Sequence, residues 1–313
     1  MGTHEVAGHA SSACERARHG FARLTLTRLL AVCRSPLPGP GATARPQAVA
    51  RDLAGYGLVR VRDRRLDLGG ARLVQPDATT CGATVLLALA ALGDPHLVIL
   101  LATGRTSSAV LTPAGPAAGP ACGPATAPPA GPVAGAASAL RGPSEPVSVS
   151  VSAELTRQEV VRVQGLVNRH ALGPVPWPRS LGSPPWAVAA QARWPGATYR
   201  FRAVDDDAPA WPGTVAALRG WLELGVPVPL LVGGDLGGGL AHAVPRHYVL
   251  ALPWVLVGDG DPGPGCVHVY DPSSGGVARL DLVSSRPAGT SAPGLGGWHR
   301  VVGAIWPTPE PRS

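Results

Sequence analysis

The sequence predicts an α+β domain in which a buried helix packs against a mostly antiparallel sheet. Three observations predict it. An almost uninterrupted apolar segment follows Cys81, helical patterns occupy residues 152–173 and 214–225, and five strand patterns follow between residues 226 and 307. Helices grouped before strands in this way are typical of the α+β class.

The first elements have clear local signals. Residues 58–70 alternate apolar and charged side chains, which indicates a strand or a hairpin arm. The helix after Cys81 is apolar on every side, so we expect it in the core, with Thr79 or Thr80 as its cap and Gly93 at its end. Thr156 with a glutamate three residues later predicts the start of a second helix.

The later elements follow from the same reasoning. A short helix is expected near residues 186–192, a strand at 199–204 and a glycine-terminated helix at 214–225. The remaining strands are expected to begin at Val226, His247, Cys266, Gly275 and Trp298.

Composition limits the class of protein. Hydrophobic residues make up 45% of the 313 residues and charged residues 15%, which is typical of a globular chain. The net charge of +7 comes from arginines alone, and they are scattered without a basic stripe interleaved with aromatic residues. We therefore expect no nucleic-acid partner.

Composition also divides the chain. Residues 1–48 are predicted to be a poorly specified leader, 49–306 a single domain and 307–313 a tail. An Ala/Gly/Pro-rich insert at 112–147 is predicted to be disordered, because it cannot bury enough apolar surface to offset its ordering entropy.

Cellular location and cofactors follow from what the sequence contains. The apolar stretch at 21–33 is interrupted by arginines, and no apolar run approaches the roughly 18 residues of a membrane span. We therefore expect a cytoplasmic protein with no membrane span. Five cysteines without a CxxC pair predict neither a disulfide framework nor a metal site, and no cofactor is expected.

Cys81 is the candidate nucleophile. It stands in the first turn of the predicted buried helix, where unpaired N–H groups and the helix dipole favour the nucleophilic thiolate. A buried cysteine is also commonly an inert small hydrophobe, so its position alone leaves both interpretations open. Gln75 lies six residues upstream, and its amide with the Cys81 N–H could stabilise an oxyanion.

A thiolate needs a base and the base needs an orienting group. His247 opens one predicted strand and Asp271 ends the next, 24 positions later. Two adjacent antiparallel strands would bring the two side chains together, so that Asp271 fixes the tautomer of His247. His268 is the alternative base.

These residues resemble the papain-like cysteine peptidases, and most closely the bacterial group that processes bacteriocins at double-glycine leaders. The resemblance rests on Gln75 and Cys81-Gly82, on the "RHYVLAL" segment at His247, and on "VYDPSSGGV" around Asp271. It implies a papain-like fold and a peptide or protein substrate. It also implies that Cys81 is the nucleophile, His247 the general base and acid, Asp271 its orienter, and Gln75 a donor of the oxyanion hole.

Two other functions remain open at this point. Thiol acyltransferases share the Cys, His, Asp order, and an inactive peptide-binding module could keep the same fold. The glycine-rich segment 233–247 predicts a loop beside the site, while His242 and His247 lack the spacing of a metal site. Asp205–Asp207 are expected in a solvated loop.

Overall fold

A computed structural model describes residues 36–41, 57–104, 149–169, 171–239, 244–258, 260–284 and 290–309. The predicted insert at 112–147 and most of the predicted leader lie outside these ranges, as do Cys14, Cys33, Cys122 and His242. The described part of the leader, residues 36–41, packs along the helix at 211–223, where the Leu37 N–H donates to Thr214 Oγ1 at 3.2 Å.

The described residues form an α+β structure with five α-helices and one large antiparallel sheet, which confirms the predicted class. The helices are α1 (Cys81–Gly93), α2 (Pro95–Thr103), α3 (Val149–Arg169), α4 (Pro185–Gln191) and α5 (Trp211–Glu223).

Within the described residues, the sheet has nine strands. They are β1 (Val59–Arg62), β2 (Arg65–Leu68), β3 (Ala71–Arg72), β4 (Ala197–Ala203), β5 (Val228–Gly233), β6 (His247–Leu252), β7 (Cys266–Asp271), β8 (Gly276–Asp281) and β9 (Arg300–Pro309). The spatial order is β1-β2-β8-β7-β6-β5-β9-β4, with β3 paired to β2.

Helix α1 lies at the centre of the core, as the sequence predicted. It packs against β6 on one side and against α2, α3 and α4 on the others. Eleven of its thirteen residues are buried, because leucine, valine and alanine occupy every face of the helix. The thiol at its first residue is therefore held by a rigid, fully packed element.

Several helix boundaries differ from the prediction, and α5 begins at Trp211, three residues before its predicted start. Helix α3 begins at Val149, so Thr156 lies inside the helix, where its hydroxyl donates to the Ser152 carbonyl at 2.8 Å. After Gly93 the chain turns directly into α2, with Asp94 as the cap and Pro95 at its first position. Among the described residues no single helix is long and apolar enough to cross a membrane, and α1 with α2 reach that length only across a bend of 117°.

Four strand ends meet at one end of the sheet, which we call the site end. The registers pair Val232 with His247 and Gly233 with Arg300, and Tyr270 lies opposite Leu250. The beginnings of β6 and β9 and the ends of β5 and β7 therefore lie side by side. Helix α1 begins at this same end, because Cys81 reaches the residue that precedes β6.

Candidate active site

Cys81 is buried at the start of α1, with 2% of its surface exposed. Its thiol donates to the carbonyl oxygen of Arg246 at 3.7 Å, immediately before β6 begins. The next residue must be small, because a Cβ atom on Gly82 would lie 3.1 Å from the Ser183 Cβ and 3.3 Å from the Tyr248 ring. The Cys-Gly pair thus allows α1 to approach β6 closely enough for the thiol to reach the sheet.

Among the described residues, no side chain caps the N-terminus of α1. Thr80 precedes the helix, but its hydroxyl donates to the Asp77 carbonyl at 3.0 Å instead of accepting from the first turn, so the predicted capping role is wrong. Thr79 is likewise bonded to Asp77, at 2.7 Å. The N–H of Cys81 therefore remains among the first-turn groups that have no partner within the helix.

His247 and Asp271 form a buried pair. The Nε2 atom of His247 lies 2.9 Å from Oδ1 of Asp271, and their side chains are only 7% and 8% exposed. The carboxylate is oriented in turn by three donors, the Ser273 N–H at 2.9 Å, the Ser273 hydroxyl at 2.6 Å and the Ser274 hydroxyl at 3.2 Å. The turn that follows β7 therefore holds the Asp271 carboxylate in the orientation in which it binds the imidazole.

The electrostatics favour a charged imidazole. Burial alone lowers the pKa of His247, but hydrogen bonds to Asp271 and Cys81 and the charges of both outweigh it and raise that pKa to about 9. Burial raises the pKa of Asp271, whereas bonds from His247 and Ser273 outweigh burial and lower it. Since Asp271 occupies Nε2, Nδ1 is the ring nitrogen that remains for Cys81.

Gln75 is attached to the same turn. Its backbone N–H donates to the carbonyl of Pro272 at 2.8 Å, and the Tyr270 hydroxyl donates to the Leu73 carbonyl at 2.8 Å. The Oε1 atom of Gln75 is buried, and no hydrogen-bond partner for it is found among the described residues. An unpaired buried carbonyl oxygen costs roughly 1–3 kcal/mol, and such costs are often retained at functional sites.

The structure thus brings Cys81, His247 and Asp271 together and links the Gln75 backbone to the residue after Asp271. His268, the alternative base, lies inside β7 opposite Leu252 and Arg279, and it is His247 that bonds Asp271.

The sequence interpretation missed the supporting residues. Ser273 follows Asp271-Pro272, and this pattern is a recognisable signal for a hydrogen bond from the Ser273 N–H to the aspartate side chain. The close packing of Gly82 and Gly296 against the site had no such signal, because it depends on residues distant in the sequence.

A second charged cluster lies at the site end. Arg300 is 3% exposed, and its guanidinium bonds Asp206 at 2.6 Å and Asp207 at 2.8 Å. Beside it, His299 Nε2 lies 3.0 Å from Asp235 Oδ2. The expected solvated loop at Asp205–Asp207 is therefore wrong for Asp206, whose side chain is only 6% exposed. The cluster neutralises a buried arginine and fixes the start of β9.

Within the described ranges, no group of three or more His, Cys, Asp or Glu side chains is arranged to hold a metal ion. Comparison of the chain with protein-family models, with curated proteins and with solved structures found no match.

Proposed function

We propose that this protein is a cysteine peptidase with a papain-like fold, which cleaves a peptide or amide bond by a Cys81–His247–Asp271 triad. One observation carries the proposal. Cys81, at the uncapped start of a buried helix, lies within hydrogen-bonding reach of the His247 imidazole. The Nε2 atom of that imidazole lies 2.9 Å from the buried carboxylate of Asp271. A buried helix packed on an antiparallel sheet that supplies the His and Asp supports the papain-like fold.

The reaction would begin with attack on the carbonyl. The Cys81 thiolate forms a bond to the carbonyl carbon, and the negative charge moves to the carbonyl oxygen. The N–H of Cys81 and the amide of Gln75 are the proposed donors to that oxyanion, and loss of one such donor commonly costs 10²–10³-fold in kcat.

His247 would move the protons. Its Nδ1–H protonates the departing amine as the C–N bond breaks, which leaves a thioester on Cys81. A water molecule then attacks the thioester, gives one proton to Nδ1 and releases the acid, and the thiolate is restored. Asp271 keeps Nε2 protonated throughout, because its carboxylate is acceptor-only at neutral pH.

The test uses a pool of fluorogenic peptides together with intact-mass analysis. The wild-type protein should release fluorophore and carry a transient acyl group on Cys81, whereas Cys81→Ala should do neither. Cys266→Ala is the matched control, since Cys266 is the other described free cysteine and is also buried. Transfer of the acyl group to an added amine in preference to water would indicate an acyltransferase, and peptide binding unaffected by Cys81→Ala without turnover would indicate a binding module.

A further inference from the structure

A short loop lies against the back of the His247–Asp271 pair. Residues 292–298, which we call the backing loop, contain a 3₁₀ turn at Pro293–Leu295 that packs on β6, β7 and β8. Three backbone bonds close the loop on itself: Leu295 N–H to Ala292 O at 2.8 Å, Trp298 N–H to Leu295 O at 3.1 Å, and Ala292 N–H to Trp298 O at 3.1 Å. With Leu295 fully buried, the loop is a small, self-contained unit anchored in the core.

Gly296 is the point of closest approach. Its backbone is left-handed, with φ of +61°. A Cβ atom at this position would overlap Cδ2 and Nε2 of His247 and would lie 3.3 Å from Oδ1 of Asp271. The Cα atom of Gly296 therefore lies beside the His247–Asp271 hydrogen bond, in a place where a side chain would not fit.

We propose that Gly296 is a positioning residue. Because it has no side chain, the backing loop can pack against the edge of the His247 imidazole. This packing keeps Nε2 on Asp271 and Nδ1 directed toward Cys81. The inference rests on the proposed function, because it gives the loop a role at the same thiol–imidazole site.

The physical reasons are contact and exclusion of water. A ring held by close backbone packing cannot turn about its side-chain bonds, and active-site groups need placement within about 0.5 Å. Covering the bond also keeps water from competing for Asp271, and a charged hydrogen bond is stronger in a medium of low dielectric constant. The low exposure of both side chains agrees with such a cover.

Gly297 provides the matched control. It is also left-handed, with φ of +86°, but a Cβ atom there would come no closer than 3.8 Å to any other group, the Ser291 hydroxyl. Gly296→Ala and Gly297→Ala therefore carry a similar backbone strain of roughly 1–2 kcal/mol, and only the first substitution displaces the imidazole.

The first measurement is alkylation of Cys81 by iodoacetamide between pH 5 and 10, with peptide-mapped mass analysis of the full chain. Gly296→Ala should slow labelling at pH 6 by about ten- to a hundredfold, as expected for a displaced catalytic group. Gly297→Ala should stay within about twofold of the wild type, since it leaves the imidazole in place.

A second measurement needs no variant. In ¹⁵N spectra of the wild-type protein, the Nε2–H proton of His247 should exchange with water far more slowly than the ring protons of His96, which is exposed. Fast exchange at His247 would overturn the inference even if Gly296→Ala fails to fold.

The outcomes separate this inference from the proposed function. If Gly296→Ala labels like the wild type while wild-type Cys81 remains selectively reactive, the positioning role is wrong and the peptidase proposal stands. If wild-type Cys81 reacts no faster than Cys266, both are overturned.

Discussion

Replacing Asp271 with asparagine would test the electrostatic core of the site. Asparagine keeps the shape of the side chain and an oxygen acceptor for Nε2 of His247, so the 2.9 Å contact can persist. What is lost is the negative charge that favours the imidazolium. We expect the pKa of His247 to fall, and with it the reactivity of Cys81 at acidic pH.

The expected size follows from the hydrogen bonding in the site. The pKa of His247 is raised from 6.5 to about 9. Such a rise corresponds to roughly 3 kcal/mol in favour of the charged ring. A hydrogen bond to a charged group is worth about 1.5–3 kcal/mol, so Asp271→Asn should lower the His247 titration by about 1–2 pH units.

The raised pKa of His247 also makes the stability of the protein depend on pH. Because the folded-state pKa of His247 exceeds its ordinary value, its stabilisation is complete below pH 6.5 and is lost as the pH rises through about 9. Wild-type protein should therefore lose stability in this alkaline window, and Asp271→Asn should show a smaller loss there.

The assay is NMR titration of histidine labelled with ¹³C at Cε1, in parallel with iodoacetamide labelling of Cys81. A small reagent is needed because the cysteine is 2% exposed. Cys81→Ala separates the contribution of the thiol from that of the carboxylate. Asp235→Asn is the matched control, since it removes the carboxylate of a second buried His–Asp pair among the described residues.

If the pKa of His247 in Asp271→Asn stays within about 0.3 units of the wild-type value, the reasoning is refuted. Such a shift corresponds to only about 0.4 kcal/mol, well below the expected contribution of the carboxylate. A shift of equal size at His247 in Asp235→Asn would also refute it, because the effect would then be a general loss of structure.

Three further predictions concern other parts of the molecule. Gln75→Ala should lower kcat on a peptide substrate by about 10²–10³-fold and leave iodoacetamide labelling of Cys81 unchanged, because the amide acts only on the oxyanion. Gly82→Val should lower the free energy of unfolding in urea by about 1–3 kcal/mol and slow Cys81 labelling, since it overpacks the α1–β6 contact. Arg300→Ala should lower the free energy of unfolding by about 3–5 kcal/mol, because it leaves buried carboxylates without their cation. Arg60→Ala, which removes an exposed ion pair with Asp67, should lower it by no more than about 1 kcal/mol. Equal losses in the two variants would contradict the buried role of Arg300.

Local signals were enough for much of the fold. Apolar residues on every face of the segment after Cys81 predicted a buried helix, and alternation at 58–70 predicted the β1–β2 hairpin. Where competing local bonds exist, the boundaries were missed. Thr156 resembles a cap, yet its hydroxyl bonds back to the carbonyl four residues earlier and the helix continues through it. Helix α2 had a usable signal in Asp94-Pro95, which was interpreted only as a stop.

The grouping of the candidate site residues was predictable where chemistry restricts the residue type. Few side chains can act as a nucleophile, a base and an orienter, so Cys81, His247 and Asp271 could be chosen from the sequence. The parts that depend on distant packing could not. The partner of Asp206 is Arg300, 94 positions away, and the neighbours of Gly296 lie on two strands that precede it by 25 and 49 positions. No local pattern encodes such separations.

If Cys81 is the proposed nucleophile, the order of synthesis bears on when its thiol becomes reactive. Cys81 meets the residue before β6 across 165 positions, and Leu73 meets Tyr270 across 197. Contacts of such separation form slowly, after local helices and hairpins. A growing chain would therefore display Cys81 as an ordinary thiol until β6 and β7 had emerged and paired. Selective labelling of Cys81 would consequently report the completed fold, and the cell would be spared an active nucleophile on an unfinished chain.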